Sequence, residues 1–172
     1  YERGLSAAES LLIARFMMFS TVYFHKTVRI AAAMLRKSIK LVIEDNTVKP
    51  GDFLLLGDEE ILNKMNKSKT ANRYANALIR RRLYKEAYSV ELNDKKKIDV
   101  EKLEKELSER LGCDIILDYP HQFFKPVEFK VKTDDDLVGI TKLSDLINVL
   151  EASETKRKRM LVLCEAKDTE KV

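Results

Sequence analysis

The stretch from Glu9 to Lys37, ESLLIARFMMFSTVYFHKTVRIAAAMLRK, constrains this chain more than any other. Leu11, Leu12, Ala14, Met18 and Phe19 give one broad apolar surface, and Ile30, Ala31, Met34, Leu35 and Ile39 recur at helical spacing further on. The run therefore predicts two apolar helical segments. Polar residues interrupt it where a plain core helix would not carry them. Arg15 sits among greasy neighbours, Tyr23, His25 and Lys26 follow in one block, and Arg29 comes a turn later. A cation inside an apolar helix is costly unless an anion meets it. A bound anionic ligand is the sharper reading. A nearby carboxylate, or a side chain that snorkels its head to solvent, is the blander one.

Read in order, Ser6-Ala7-Ala8-Glu9 has the pattern of a capping box and predicts a helix start. Ser20-Thr21 marks a kink or a restart, with a second helix from Val22 to Ile43. Ala31-Ala32-Ala33 would let another helix approach closely. Pro50-Gly51 signals a turn. Asp58 is expected to cap a short helix to Met65, and a further helix is expected from Thr70 to Arg82.

Near Tyr84 the pattern changes. Tyr84 to Leu92 alternates loosely like a strand, and Lys95-Lys96-Lys97 reads as a charged connector. Asp99 caps an amphipathic helix with Val100, Leu103, Leu107 and Leu111 on one face, closed by Gly112. Asp114 to Tyr119 reads as a buried strand stopped by Pro120, and Val127 to Lys132 alternates, with Pro126 suiting its entry. Asp134-Asp135-Asp136 is a turn, Leu143 to Ser153 a helix and Met160 to Cys164 a last strand. The expectation is an α+β chain with a helical part over residues 1–83. A βαββαβ, ferredoxin-like module over residues 84–172 follows it.

A formal charge of +4 over 172 residues is mild, and the composition is that of a globular chain. The positive charge gathers in Arg80-Arg81-Arg82, Lys95-Lys96-Lys97 and Lys156-Arg157-Lys158-Arg159, runs that ordinarily form solvated faces. Two cysteines, Cys113 and Cys164, are too few for a disulfide framework or a zinc site. They suit a reducing, cytoplasmic setting. No run reaches the roughly 18 uncharged apolar residues of a spanning helix, and no signal-peptide pattern opens the chain, so no membrane partner is expected. The absence of an initiator Met before Tyr1 suggests a piece of something longer.

The residues for stand-alone catalysis are missing. The two histidines, His25 and His121, are far apart in sequence, and no His-Glu-x-x-His, Cys cluster, nucleophile elbow or glycine-rich phosphate loop is present. Asp134-Asp135-Asp136 suits a turn better than a metal site. Anion-binding groups are plentiful instead. On a helix Tyr23 and Lys26 share a face, with Arg15 two turns upstream. A guanidinium and an ammonium can hold phosphate oxygens, and a phenol ring can stack on a base or sugar. Arg81 and Lys85 form a second basic group at the junction of the two expected modules.

The block from Glu9 to Arg29, with Val22-Tyr23-Phe24-His25-Lys26 and an arginine eight residues before the tyrosine, resembles the helix that follows the metal site in HD-domain phosphohydrolases. The closest group is the deoxynucleoside triphosphate triphosphohydrolases, including the mammalian enzyme with a sterile alpha motif and its prokaryotic relatives. The likeness continues through Asn72 to Tyr88, where ANALIRRRLYKEAY resembles a second segment of that family, and runs more weakly into the C-terminal α+β module. It implies an HD-type helical domain continued over residues 1–83. Arg15 would grip substrate phosphates and Tyr23 would pack on the nucleoside. His25, Lys26, Arg81 and Lys85 would contact an activating nucleotide at a subunit interface. Phe19 stands where the regulated enzyme has a catalytic-pocket histidine.

The family's His, His-Asp and Asp metal ligands would lie before Tyr1. The divalent metal then belongs to the parent protein, with none bound by residues of this chain, and this chain alone is expected to hydrolyse nothing. The expected partners are a nucleotide triphosphate, an N-terminal HD catalytic half and further copies in a homo-oligomer. The alternative is a nucleic-acid-binding or scaffold module that uses the basic runs. A third reading is a stand-alone regulatory domain with a small ligand between its modules.

Overall fold

The structure, a computed structural model, describes residues 2–92, 98–119, 129–133, 136–156 and 159–172. The Lys95–Lys97 connector, Pro120, His121, Pro126, Val127, Asp134, Asp135, Arg157 and Lys158 lie outside them. Helices dominate: α1 (Glu2–Met18), α2 (Lys26–Glu44), α3 (Asp52–Leu55), α4 (Asp58–Lys67), α5 (Asn72–Ile79), α6 (Val100–Leu111) and α7 (Asp145–Lys156). The strands are β1 (Lys85–Glu91), β2 (Ile116–Asp118), β3 (Lys130–Lys132), β4 (Leu137–Gly139) and β5 (Arg159–Cys164). The chain is thus a mixed α+β protein.

Two compact units form: Tyr1–His25, Val90–Lys96 and Tyr119–Met160 make the first, and Lys26–Ser89, Lys97–Asp118 and Leu161–Val172 the second. The expected division after residue 83 falls inside the second unit. The reason is packing: Tyr84 is buried with Ile30, Met34 and Tyr74, and its backbone N–H donates to the Met34 sulfur at 3.3 Å. That contact ties β1 to the helices before it.

In the first unit, Leu12 of α1 joins Ile140 and Ile147 in a small core bordered by Leu5, Ala8, Phe129 and Val131. The helix starts before Ser6, so Glu9 is no capping residue; its carboxylate accepts from the Ser144 hydroxyl at 2.5 Å. The segment Gly4–Tyr23 is, by length and composition alone, long and apolar enough to cross a membrane. Leu12 and Phe16 are its buried residues, and Leu11, Met17, Met18 and Val22 are exposed.

In the second unit, α2 carries two cores along one stripe. Ile30, Ala33 and Met34 pack with Tyr74, Ile116, Leu161 and Leu163. Further along, Val42 packs with Val48, Ile61, Met65, Ala71 and Ala75. Local chemistry sets several ends. Asp99 accepts from the Lys102 N–H at 3.1 Å, and Gly112 takes φ 62, both as expected. Helix α4 differs: Gly57 is the residue before it, and Glu60 reaches back to the Gly57 N–H at 3.0 Å.

The larger sheet has the order β1-β5-β2, with β2 antiparallel to β5. The expected ferredoxin-like sheet is not the one formed among the described residues. Strand β3 leaves the main sheet and pairs antiparallel with β4, Val131 opposite Val138, as a separate hairpin. A strand at Leu137–Gly139 was not expected: three residues are too short to show a period. Between β3 and β4 the Thr133 N–H donates to the Asp136 carbonyl at 2.8 Å.

Candidate functional site

The stretch from Glu9 to Lys37 is shaped by a change of helical winding. Phe19–Tyr23 form a π-helical turn, closed by the Phe24 N–H on the Phe19 carbonyl at 2.8 Å. The hydroxyls of Ser20 and Thr21 both donate back to the Met17 carbonyl, at 3.1 and 2.6 Å. Hydroxyls that bond back in this way compete with the ordinary helix ladder, and π turns inside helices gather at functional sites. The second helix consequently begins at Lys26 rather than Val22.

The turn stacks three residues of the first unit. The Arg15 guanidinium carbon lies 4.9 Å over the Phe19 ring, and Phe19 meets Tyr23 with centroids 5.0 Å apart at 44°. Phe24 closes the group 6.2 Å from Phe19. Arg15 is half-buried, whereas Tyr23 is 53% exposed. A guanidinium over a ring keeps its fork of N–H donors while gaining cation–π attraction. Phe19 therefore links the two residues expected to bind substrate, and the exposed phenol ring is open to stacking. His25, in the same unit, is exposed, and its backbone N–H reaches the Val22 carbonyl at 3.3 Å.

The other expected residues lie in the second unit. Lys26, Arg81 and Lys85 line one cleft of about 370 Å³, with Ile30, Tyr84 and Glu86. Lys26 is paired there, its ammonium 2.8 Å from the Glu86 carboxylate. An ammonium in the first turn of a helix meets the positive end of the dipole, so a carboxylate partner eases it. A second cleft of about 720 Å³ is lined by Arg73, Arg80, Arg81, Arg82, Lys85 and Glu165. Arg81 and Lys85 line both.

Arg81 earns its position through strain. Its φ is 55, the left-handed region that a glycine usually fills at a helix end. The Arg82 N–H reaches the Ala77 carbonyl at 2.7 Å and the Arg81 N–H the Leu78 carbonyl at 3.1 Å, closing α5 as a Schellman motif. Non-glycine residues hold such a conformation only where the surroundings fix it, and they cluster at binding sites.

Other residues matter that sequence reading did not single out. Asp114 accepts from the hydroxyls of Tyr74 and Tyr84, each at 2.6 Å, and from Arg73 at 2.8 Å, which braces the wall of the larger cleft. Burial, then the Asp114 carboxylate, pushes both phenols well above the usual tyrosine range. Arg29 is absorbed differently: its Nε donates to the buried Asp118 carboxylate at 2.7 Å, so this interrupting cation has an internal partner. No local signal marks these acids, because each meets its partners across 30 residues or more. Among the described residues no three His, Cys, Asp or Glu side chains gather as a metal-ligand set.

The family model of the HD associated region matches residues 1–172. A hypothetical protein from Aquifex aeolicus, solved by crystallography at 2.0 Å resolution, is similar with a TM-score of 0.62 and 26% identity, over 99% of this chain and 44% of its own. An uncharacterized protein of Methanocaldococcus jannaschii is 28% identical over 167 residues, 90% of this chain and 37% of that protein. The chain thus spans less than half the length of either relative.

Proposed function

This chain belongs to the family of HD-associated regions, and from that premise we propose that it is the carboxy-terminal portion of a metal-dependent HD nucleotide phosphohydrolase of the dNTP triphosphohydrolase type. The observation that carries the reading is the stack of Arg15, Phe19 and Tyr23 on the π turn. Arg15 offers charge-assisted hydrogen bonds to substrate phosphates, and Tyr23 offers a ring face to the nucleoside. Among the described residues no three His, Cys, Asp or Glu side chains gather as a metal-ligand set, and on this reading the divalent ion belongs to the HD portion. There it would polarise the scissile phosphate and supply the attacking hydroxide. Here the chain positions the triphosphate and neutralises its charge.

The cleft of Lys26, Arg81 and Lys85 is the proposed regulatory nucleotide site. Displacement of Glu86 from Lys26 by a phosphate would free that ammonium for the ligand. The working protein is cytoplasmic and oligomeric on this reading.

The test uses the protein with its HD portion and Mn²⁺, following inorganic triphosphate released from a dNTP. Arg15→Ala is expected to lower kcat/KM by about a hundredfold or more, as loss of a charge-stabilising donor does. Unchanged turnover in Arg15→Ala would remove the main support, and turnover by this chain alone would refute the division of labour. The five cations lining the larger cleft favour a second reading, a nucleic-acid-binding module. Backbone binding would show a log-log salt slope of about −0.9 per phosphate neutralised, whereas a single nucleotide saturates one site.

A further inference from the structure

The two edges of the larger sheet are unlike. Strand β2, at one edge, is three residues long and buried throughout, with Asp118 held by Arg29 and Arg36. Strand β1, at the other, is seven residues long, has no proline or glycine, and pairs on its outer side with no strand among the described residues. Tyr88 is 59% and Val90 39% exposed on it. A long, open edge is a template for another strand, which natural sheets usually blunt.

The sequence of β1, Lys85-Glu86-Ala87-Tyr88-Ser89-Val90-Glu91, complements itself in reverse. Laid antiparallel about Tyr88, Lys85 faces the partner's Glu91 and Glu91 faces the partner's Lys85. Ala87 meets the partner's Ser89, and the two Tyr88 rings meet at the centre. Successive side chains alternate between faces, so both ion pairs fall on one face and the tyrosines on the other. This register alone pairs all seven residues. Centring on Ala87 sets Lys85 against Ser89, and centring on Ser89 carries Lys85 beyond the strand.

We propose that this chain self-associates through β1, the open edge being occupied by β1 of a second copy in antiparallel register about Tyr88. The pairing would join two three-stranded sheets into one around a twofold axis, the commonest symmetry of soluble oligomers. It requires neither a nucleotide nor an HD portion. A single strand pair buries little area, so the dimer is weak and concentration-dependent. Lys85 also lines both clefts, so phosphate would compete with the partner's Glu91 for its ammonium.

Sedimentation velocity of the 172-residue chain in phosphate-free buffer, up to about 1 mM, tests this directly. A reversible dimer is expected. Lys85→Glu and Glu91→Lys each set like charges opposite one another twice per dimer and should weaken it about tenfold, and the double variant should restore it. Circular dichroism confirms that each variant stays folded. Tyr88→Cys places two sulfurs across the axis, where opposite Cα atoms about 4.5–5.5 Å apart are within disulfide reach. It should cross-link on mild oxidation, whereas Lys105→Cys on α6 should not. A chain that stays monomeric, forms open-ended assemblies, or dimerises equally in both single variants overturns the proposal. So does a double variant that stays as weak as the singles.

Discussion

Tyr84 gives its hydroxyl to Asp114 at 2.6 Å, and the direction of that bond sets how the second unit responds to alkali. Tyr74 donates to the same carboxylate oxygen at 2.6 Å. Burial, and then the neighbouring carboxylate, raises both phenols above the ordinary value near 10. Raised in the folded state, they contribute stability that is fully present below the unfolded pKa and lost as pH rises above it. Each group contributes a slope of at most about 1.4 kcal/mol per pH unit. The denaturant midpoint should therefore hold steady to about pH 10 and then fall. Tyr84→Phe should cost about 1–2 kcal/mol at neutral pH through the lost bond to Asp114. It should also flatten the alkaline fall, and an unchanged slope would mean that the phenols are not linked to folding.

Ser38 offers a test of opposite sign. It is wholly buried on α2 between Met34 and Val42, and its hydroxyl has no hydrogen-bond partner among the described residues. A hydroxyl taken from water without a partner costs free energy, and alanine keeps nearly the same volume. Ser38→Ala should therefore stabilise the chain by about 1 kcal/mol, read as a rise of a few degrees in Tm. A fall would show that the hydroxyl is satisfied.

Signals set by neighbours in sequence were legible, and those set by distant partners were not. Asp99 and Gly112 bounded α6 correctly because capping chemistry lies within one turn. The apolar run Met160 to Cys164 became β5, but its place between β1 and β2 depends on pairings that no local period reveals. Ser20 and Thr21 flagged the break before α2, yet the π winding that stacks Phe19 between Arg15 and Tyr23 could not be read from propensity. For the same reason Lys26 was legible as a cation and Glu86 was not legible as its partner.

Asp118 separates an indispensable charge from a dispensable one. Its side chain is 5% exposed, and the carboxylate takes Arg29 at 2.7 Å on one oxygen and Arg36 at 2.5 Å on the other. The Arg29 side chain is 14% exposed and the Arg36 side chain 56%, so only Arg36 can return its charge to water. Asp118→Ala removes the buried carboxylate that Arg29 Nε donates to and should cost about 3–5 kcal/mol, as does breaking a buried pair from one side. Arg36→Ala removes a largely solvated partner and should cost under about 1 kcal/mol. Equal losses in chemical denaturation would contradict this division.

Arg81 should show opposed demands of stability and binding. Its left-handed backbone, φ 55, closes α5 where glycine is the usual choice, and its side chain lines both clefts. A non-glycine residue in this region carries about 1–2 kcal/mol of strain, while glycine adds about 0.4–1 kcal/mol of unfolded-chain entropy. Arg81→Gly should thus raise stability slightly, by up to about 1 kcal/mol, because relief of strain exceeds the entropy term. Arg81→Ala keeps the strain and should not. Both variants remove the guanidinium, so both should weaken binding of inorganic tripolyphosphate by about tenfold, the worth of one charge-assisted contact. Calorimetric titration beside thermal melts distinguishes the cases. Stabilisation by glycine with binding lost in both variants means that the strain is held for the ligand. Binding kept in both would make Arg81 a costly helix cap and nothing more.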